Sequence, residues 1–435
     1  MKSDTIIRLG DKFLYIDIVK TDAGNIRIGT MPELSKYLLK KRIKIGYVIL
    51  PAPEASQAGD NYTGEEFLCW NKIRNRDMSS ITYMGEKKNV QYLYKKLLQT
   101  VNWAFNRSKT KLVKTRRLQK IFRKKYLKNG SDHHFGKDVR LRLEEDNIII
   151  SQKGHVIYDR SKERKKQDID GEVKALLANI RSKREYINHL EIIPLGVGNG
   201  FRGHTSNFLI KYADRRIWVD VMARPFLALK KIKCHWDNIT DYFISHIHED
   251  HVEGFTAVLE RASLYSKRIN IITTKKIFKM LKKRYSYLFP DFHLLVHHVN
   301  IIPHYTLPYY HGYLTVRLNH HVLKSGTLGL KVQFKNNVFA LSGDTKYDSH
   351  LARRLRGKPS FDPSWYNDCH LVFHEVEFED PNNAHTYYKE VKKIASRIHG
   401  QVLVYHSSSA RYLMEGAKEY KRYIIKKGKV KVKDL

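Results

Sequence analysis

The segment Ile244-Ser245-His246-Ile247-His248-Glu249-Asp250-His251 packs three histidines and an aspartate into six residues. An apolar, β-prone run, Tyr242 to Ile244, leads into it. A strand that stops there points His246 and His248 to one side, because residues two apart share a face. Asp250 and His251 then follow from the loop. Neutral imidazoles and a carboxylate at this density suit a borderline divalent metal, and Zn2+ fits best.

Several other chemistry-bearing residues stand where apolar runs end. Arg216 to Val221 reads as a strand carrying Asp220 at its end, placed to orient a ligating histidine. Leu314 to Leu318 reads as a strand followed by His320 and His321. Val338 to Leu341 ends in Ser342-Gly343-Asp344-Thr345. Leu371 to Phe373 ends in His374-Glu375, and Val402 to Val404, read as the final strand, ends at His406. Ala384-His385-Thr386 opens a helix expected to reach about Ile398. In an α/β sandwich such tips converge on one edge, which assembles a site from distant sequence. Gly196, Gly198, Gly200 and Gly203 lie between the strands Leu190–Leu195 and Asn207–Lys211. No helix follows them, so they read as a tight turn at the rim rather than a phosphate loop.

The elements before residue 188 carry no recognisable chemistry. Thr5 to Leu9 and Phe13 to Val19 read as a strand pair, residues 32–42 as a short helix, Lys44 to Leu50 as a buried strand, and 51–64 as a turn-rich loop. Asn89 to Phe105 has helical apolar spacing. Arg107 to Lys128 carries eleven Lys/Arg and no acid, and reads as one basic helix that either tracks a phosphate backbone or is a solvated face. Val139 to Ile157 reads as two strands joined at Lys153-Gly154. Residues 161–167 read as a charged boundary loop, and Val173 to Tyr186 as a helix. The His133-His134 pair reads as incidental. No internal repeat is visible.

At 435 residues the chain has room for two or three domains and a large core. Its net charge is +36, from 80 basic and 44 acidic residues. That excess fits either a polyanionic partner or a generally lysine-rich composition. The three cysteines (Cys69, Cys234 and Cys369) are scattered, which argues for a reducing compartment without a disulfide framework. The start lacks an apolar signal core, and no run of about 18 apolar residues occurs. The expected location is cytoplasmic, with no membrane partner.

From about Leu190 onward the chain resembles the metallo-β-lactamase-fold hydrolases, and among them the tRNase Z-like phosphodiesterases. The motifs that carry the resemblance are His-x-His-x-Asp-His at 246–251, the histidine at 320 or 321, Ser-Gly-Asp-Thr at 342–345, and His406. His374-Glu375-Val376-Glu377 resembles that family's His-Glu-Ala-Thr loop, and His385-Thr386 its His-Ser-Thr loop. His406 to Tyr412 resembles its terminal His-x-Ser-x-Arg-Tyr with one extra residue. The implied architecture is an α/β, metallo-β-lactamase αββα sandwich over 189–435; residues 1–188, outside the resemblance, read from their own elements as a separate α+β domain with a regulatory, oligomerising or substrate-gating role.

The resemblance implies that His246, His248 and His320 (or His321) hold one zinc and that Asp250, His251 and His406 hold a second, with Asp344 bridging. The strand-end pattern Leu318-Asn319-His320 favours His320. Two metals roughly 3.5–4 Å apart lower the pKa of a shared water toward about 7 and take charge from phosphoryl oxygens. Asp250 both ligates and orients the nucleophile. His385 donates a proton to the leaving oxygen, steadied by Glu375 in the His374-Glu375 motif. Redox members of the superfamily carry a carboxylate where His248 stands, so zinc hydrolysis is favoured, although Mn2+ or Fe2+ can load the same ligands.

Only 23 positions separate His321 from Asp344, so the long tRNA-binding arm of the tRNA-trimming members is absent. The expected activity is hydrolysis of a phosphodiester in a cyclic nucleotide or a nucleic acid, with a homodimer as a possible assembly. The alternatives are a tRNase Z-type endoribonuclease, a lactone or thioester hydrolase on the same fold, and a non-catalytic nucleic-acid-binding module.

Overall fold

Short apolar runs broken by polar turns dominate the chain, and in the computed structural model they pair into four sheets. The structure describes all residues except 1–4, 11–14, 30–42, 51–64, 66–67, 70–71, 74–76, 105–107, 137, 145–146, 166–168, 181–184, 200–203, 223, 253, 287–288, 322–325, 348–362, 380, 382–383, 408 and 411–412. The expected helix over 32–42, the loop over 51–64, Gly200, Gly203 and Arg411-Tyr412 fall outside the described residues, as does part of the 161–167 loop. Two compact units form, Met1–Ala175 and Leu176–Leu435, a division earlier than the expected one at 188.

The C-terminal unit is a sandwich of two sheets with helices outside, the architecture that the resemblance implies. Its first sheet starts with β11 (Ile187–Gly196), β12 (Asn207–Ala213) and β13 (Arg215–Val219), paired antiparallel. Three parallel strands follow: β14 (Asp241–Phe243), β15 (Ile269–Thr273) and β16 (Val296–Asn300). The second sheet is β17 (Thr306–Tyr309), β18 (Gly312–Asn319), β19 (Thr327–Phe334) and β20 (Asn337–Leu341), antiparallel, then β21 (Leu371–Glu375) and β22 (Gln401–Tyr405), parallel. Aromatic pairs fill the space between the sheets. Phe208 meets Phe373 and Tyr405 at ring separations of 5.6 and 5.1 Å, and Tyr212 meets Phe334 at 5.4 Å.

Helices cover the outer faces. Tyr242 packs outward on Phe255 of the helix Phe255–Leu264, and that ring packs on Tyr285 of the helix Lys275–Tyr285. On the other side Val338, Ala340 and Val372 pack against Tyr366, Ile394 and Ile398. The helix after His385 is Tyr388–Ala395, shorter than expected. Val402–Val404 is not in the final strand. β23 (Lys421–Lys426) and β24 (Lys429–Asp434) form a hairpin that joins the first sheet beside β11. Their lysine-rich alternation hides them from a reading by apolar runs, yet lysine is the residue that blunts an exposed sheet edge.

The N-terminal unit repeats this order without repeating its sequence. β1 (Ile6–Gly10), β2 (Tyr15–Thr21) and β3 (Gly24–Ile28) pair antiparallel, and β4 (Tyr47–Ile49), β5 (Ile81–Gly85) and β6 (Phe122–Tyr126) add in parallel. A second, antiparallel sheet follows, of β7 (Asp132–Phe135), β8 (Val139–Glu144), β9 (Asn147–Gln152) and β10 (His155–Asp159). These pairings match β11–β16 and β17–β20 strand for strand. Val19, Ile26, Ile49 and Met84 of its first sheet pack on Phe135, Leu141, Ile148 and Ile150 of its second. The face a strand buries depends on which positions are apolar and not on their identity, so a repeat can persist in topology when no sequence repeat is visible.

Three local expectations change. The basic stretch is a helix only over Ser108–Ile121, because Phe122–Tyr126 is an edge strand. Residues 139–159 hold three strands, not two. The helix expected over 173–186 is Ile169–Leu177. Among the described residues no helix is long and apolar enough to cross a membrane.

Candidate metal centre

Strand β14 ends at Phe243, and the next residues turn across the sheet edge into a single helical turn, Glu249–Val252. That turn is anchored on Asp220, which follows β13 with φ +52°. The Ser245 N–H donates to Asp220 Oδ1 at 2.8 Å, Ser245 Oγ to Oδ2 at 2.7 Å, and the His251 ring Nδ1 lies 2.7 Å from Oδ2. A carboxylate in this position holds Nδ1 protonated and leaves Nε2 with its lone pair for a cation.

Asp344 sits at the centre. Its Oδ2 lies 3.5 Å from the Nε2 atoms of His251 and His406, and 3.7 Å from those of His246 and His321. Asp250 Oδ2 lies 3.7 Å from His406 Nε2 and 3.8 Å from His251 Nε2. His246, His248, His321 and Asp344 form one group whose ligand atoms lie within 4.8 Å of one another, Asp250, His251 and His406 form another, and Asp344 and His406 form a third with His385. Of the two neighbouring histidines, His321 joins the group and His320 does not. β18 ends at the buried Asn319, and successive residues face opposite ways, so a register of one decides which ring turns inward.

The donor set fits a metal. His251 Nε2, His406 Nε2 and Asp344 Oδ1 are buried without a hydrogen-bond partner, a costly state that a cation relieves. Burial, followed by the charges of His251 and His248, pushes the His246 pKa well below the imidazole range, which favours the neutral ligand form. Burial works against charge on His251 too, but Asp344, Asp250 and Asp220 outweigh it and raise its pKa well above the usual range. A field that favours a proton there equally favours a metal ion.

Neighbours that the sequence does not flag hold Asp344 in place. The Thr327 hydroxyl donates to its backbone carbonyl at 2.5 Å, and Asn319 Nδ2 donates to the same oxygen at 3.2 Å. Gly343 has φ +62°, and a Cβ there would sit 2.1 Å from the Leu328 carbonyl oxygen. Only glycine suits both that backbone conformation and that close approach.

His385 stands beside the cluster, its ring centroid 4.7 Å from that of His406 and 5.1 Å from that of His321. Its Nδ1 lies 2.8 Å from Glu375 Oε2, and the Thr386 N–H donates to Glu375 Oε1 at 2.8 Å. Burial disfavours its charged form, but the Glu375 charge and hydrogen bond prevail and raise its pKa to about 9. His374 is a correction. It precedes Glu375 on β21 and therefore faces the opposite side, with its ring 5.9 Å from Tyr366 and Nδ1 2.7 Å from the Glu375 carbonyl oxygen.

The family model described as "Anti-Pycsar protein Apyc1" matches residues 190–430, a little over half the chain. No curated protein matches. Among solved structures, the chain is similar to the metallo-beta-lactamase fold protein YhfI from Bacillus subtilis, at 15% identity over 55% of this chain and 100% of that one, with a TM-score of 0.44. Human tRNase Z, short form, is similar at 16% identity over 53% of this chain and 98% of its own, with a TM-score of 0.41. A long form RNase Z from yeast is similar at 12% identity over 92% of this chain and 67% of its own, with a TM-score of 0.38. The match over 190–430 spans the sandwich from β11 into β24, with both ligand groups inside it, and on that ground the chain belongs to the Apyc1 family of anti-Pycsar proteins.

Proposed function

We propose that this chain is a metal-dependent phosphodiesterase that hydrolyses a cyclic nucleotide. The observation that carries the reading is the pair of His/Asp groups around Asp344, with the His385–Glu375 pair beside them. His246, His248, His321 and Asp344 would hold one divalent ion, with Asp250, His251, His406 and Asp344 holding the other. Zinc suits this donor set best. Two such ions would supply Lewis acidity toward the phosphoryl oxygens and an ionised water at neutral pH.

The chain's own groups do the rest. Asp220 fixes the tautomer and ring angle of His251. Asp250 orients the nucleophile. His385 directs Nδ1 at Glu375, which leaves Nε2 to give a proton to the departing ribose oxygen.

Two points favour a cyclic nucleotide. The family's name is that of an anti-Pycsar protein, which points to cyclic-nucleotide degradation. In addition, only residues 320–326 connect β18 to β19, too few for an arm that would grip a folded RNA. The test is incubation of the metal-loaded protein with a panel of 3′,5′-cyclic nucleotides and with a precursor tRNA. Linear monophosphates from at least one cyclic nucleotide, with the tRNA left intact, support the reading. Cleavage of the tRNA alone would replace it with the endoribonuclease alternative.

A further inference from the structure

The N-terminal unit repeats the strand order of the sandwich, but the chemistry at the strand ends is missing. Where β14 leads into His246, the matching β4 leads into Leu50-Pro51-Ala52-Pro53. Where β18 leads into His320-His321, the matching β8 ends at Glu144 and leads into Glu145-Asp146. What the repeat has instead lies between β5 and β6. The matching connection in the C-terminal unit, between β15 and β16, spans residues 274–295 and contains one three-turn helix and one single turn. In the N-terminal unit it spans 86–121 and contains two long helices, Lys87–Ala104 and Ser108–Ile121.

This enlarged connection is one-sided in charge. From Lys87 to Ser131 the chain carries fifteen Lys/Arg and no Asp or Glu. Leu93, Leu97, Leu118 and Ile121 pack inward with Tyr83 and Phe122, which leaves part of the charge on the outside. Arg116, Lys120, Lys124 and Lys128 are exposed; Arg123, also exposed, alternates onto the other face of β6 with Lys125, which lies over Phe135 of the second sheet. Among the described residues none of the five exposed cations pairs with a carboxylate. Lys124 lies instead 3.4 Å over the Tyr94 ring. Beside them on the edge strand, Tyr126 is 43% exposed. Exposed cations on the helix side of this connection, with an open aromatic ring on the same face of β6 as Lys124, suit a single nucleic-acid strand, with phosphates on the cations and a base on the ring. The ring adds a stacking partner that a run of acidic side chains does not use, and an anionic membrane surface, which tyrosine also suits, is separated from a nucleic-acid strand by the vesicle arm of the test.

We infer that the face formed by the helix Ser108–Ile121 and β6 binds a single-stranded nucleic acid, separately from the metal centre. The test is fluorescence anisotropy of full-length protein with a labelled oligo-dT of about 20 nucleotides, in chelator, across a salt series. Three variants are compared with the wild type: the quadruple R116Q/K120Q/K124Q/K128Q, the single Y126A, and K427Q/K429Q/K431Q/K433Q, which removes the same charge from the C-terminal hairpin. The first should weaken binding more than about tenfold and lower the salt slope by about 3. Y126A should weaken it about tenfold with an unchanged slope. The hairpin variant should change it by less than about threefold, and metal-dependent turnover of a small diester should be equal in all.

Equal weakening by the two charge variants would overturn the inference, because net charge alone would then account for binding. Binding of anionic-lipid vesicles in preference to the strand, lost in the first variant, would overturn it in favour of a membrane surface.

Discussion

At the scale of single residues, the account rests on side chains whose geometry leaves them one useful atom each. His251 gives Nδ1 to Asp220 and keeps Nε2 for a metal. Asp220→Asn should therefore lower metal affinity by about 10–100-fold with the fold intact, read by competition with a chromogenic chelator. His248→Ala should abolish turnover while the N-terminal unit stays folded by circular dichroism. Full activity with bound metal would remove His248 from the ligand set. His385 carries the pH dependence. Its folded pKa is raised to about 9, so its paired, charged form contributes stability that is full below the unfolded value near 6.5 and is lost as pH rises through about 9. In the metal-loaded enzyme the nearby cations oppose the Glu375 charge, so the alkaline limb of turnover reports the balance between them. His385→Ala should cost about 10²–10⁴-fold in kcat, and Glu375→Gln should move the alkaline limb to lower pH. The ligand types were legible in the sequence because six residues held four of them. His321 was not, because two adjacent histidines differ only in which face of a strand end they take. Nor could the sequence separate His374 from Glu375 until β21 was seen to continue through both.

At the scale of elements, the site is a set of strand tips locked by close backbone approaches. Gly343→Ala tests this. It forces a Cβ onto a left-handed residue against the Leu328 carbonyl oxygen. A loss of more than about 1 kcal/mol of stability is expected, together with reduced metal loading because Asp344 is the next residue. An unchanged melting temperature and metal content would show that the turn is not the lock. Strands that end in histidine or aspartate could be read from their apolar runs. The hairpin β23–β24 could not, because Lys429, Lys431 and Lys433 alternate with Val430 and Val432 and register as charge. The stretch Arg107–Lys128 misled for a related reason. Its charge is continuous across a helix and a strand, and Phe122, Tyr126 and Leu127 were too few to announce the change of period.

At the scale of the whole molecule, the strand order of β11–β20 recurs in β1–β10, and the candidate metal-ligating set occurs once among the described residues. Metal loading should therefore stabilise the C-terminal unit selectively, by about 2.7 kcal/mol per site at a hundredfold excess of metal over its Kd. A chelator should lower the melting transition of that unit and leave the N-terminal one in place, read by calorimetry. The repeat escaped the sequence because buried-face alternation defines a strand whether its residues are Ile, Val or Tyr. The net charge of +36 was equally uninformative until part of it could be placed on a particular face. The most direct test of the central claim is a paired measurement on the purified protein: metal content by elemental analysis, and cyclic-nucleotide hydrolysis with and without chelator. The account predicts about two metals per chain and turnover that stops with chelator and returns with added zinc. Turnover indifferent to chelator, or a metal-loaded protein that leaves every cyclic nucleotide intact, would contradict it.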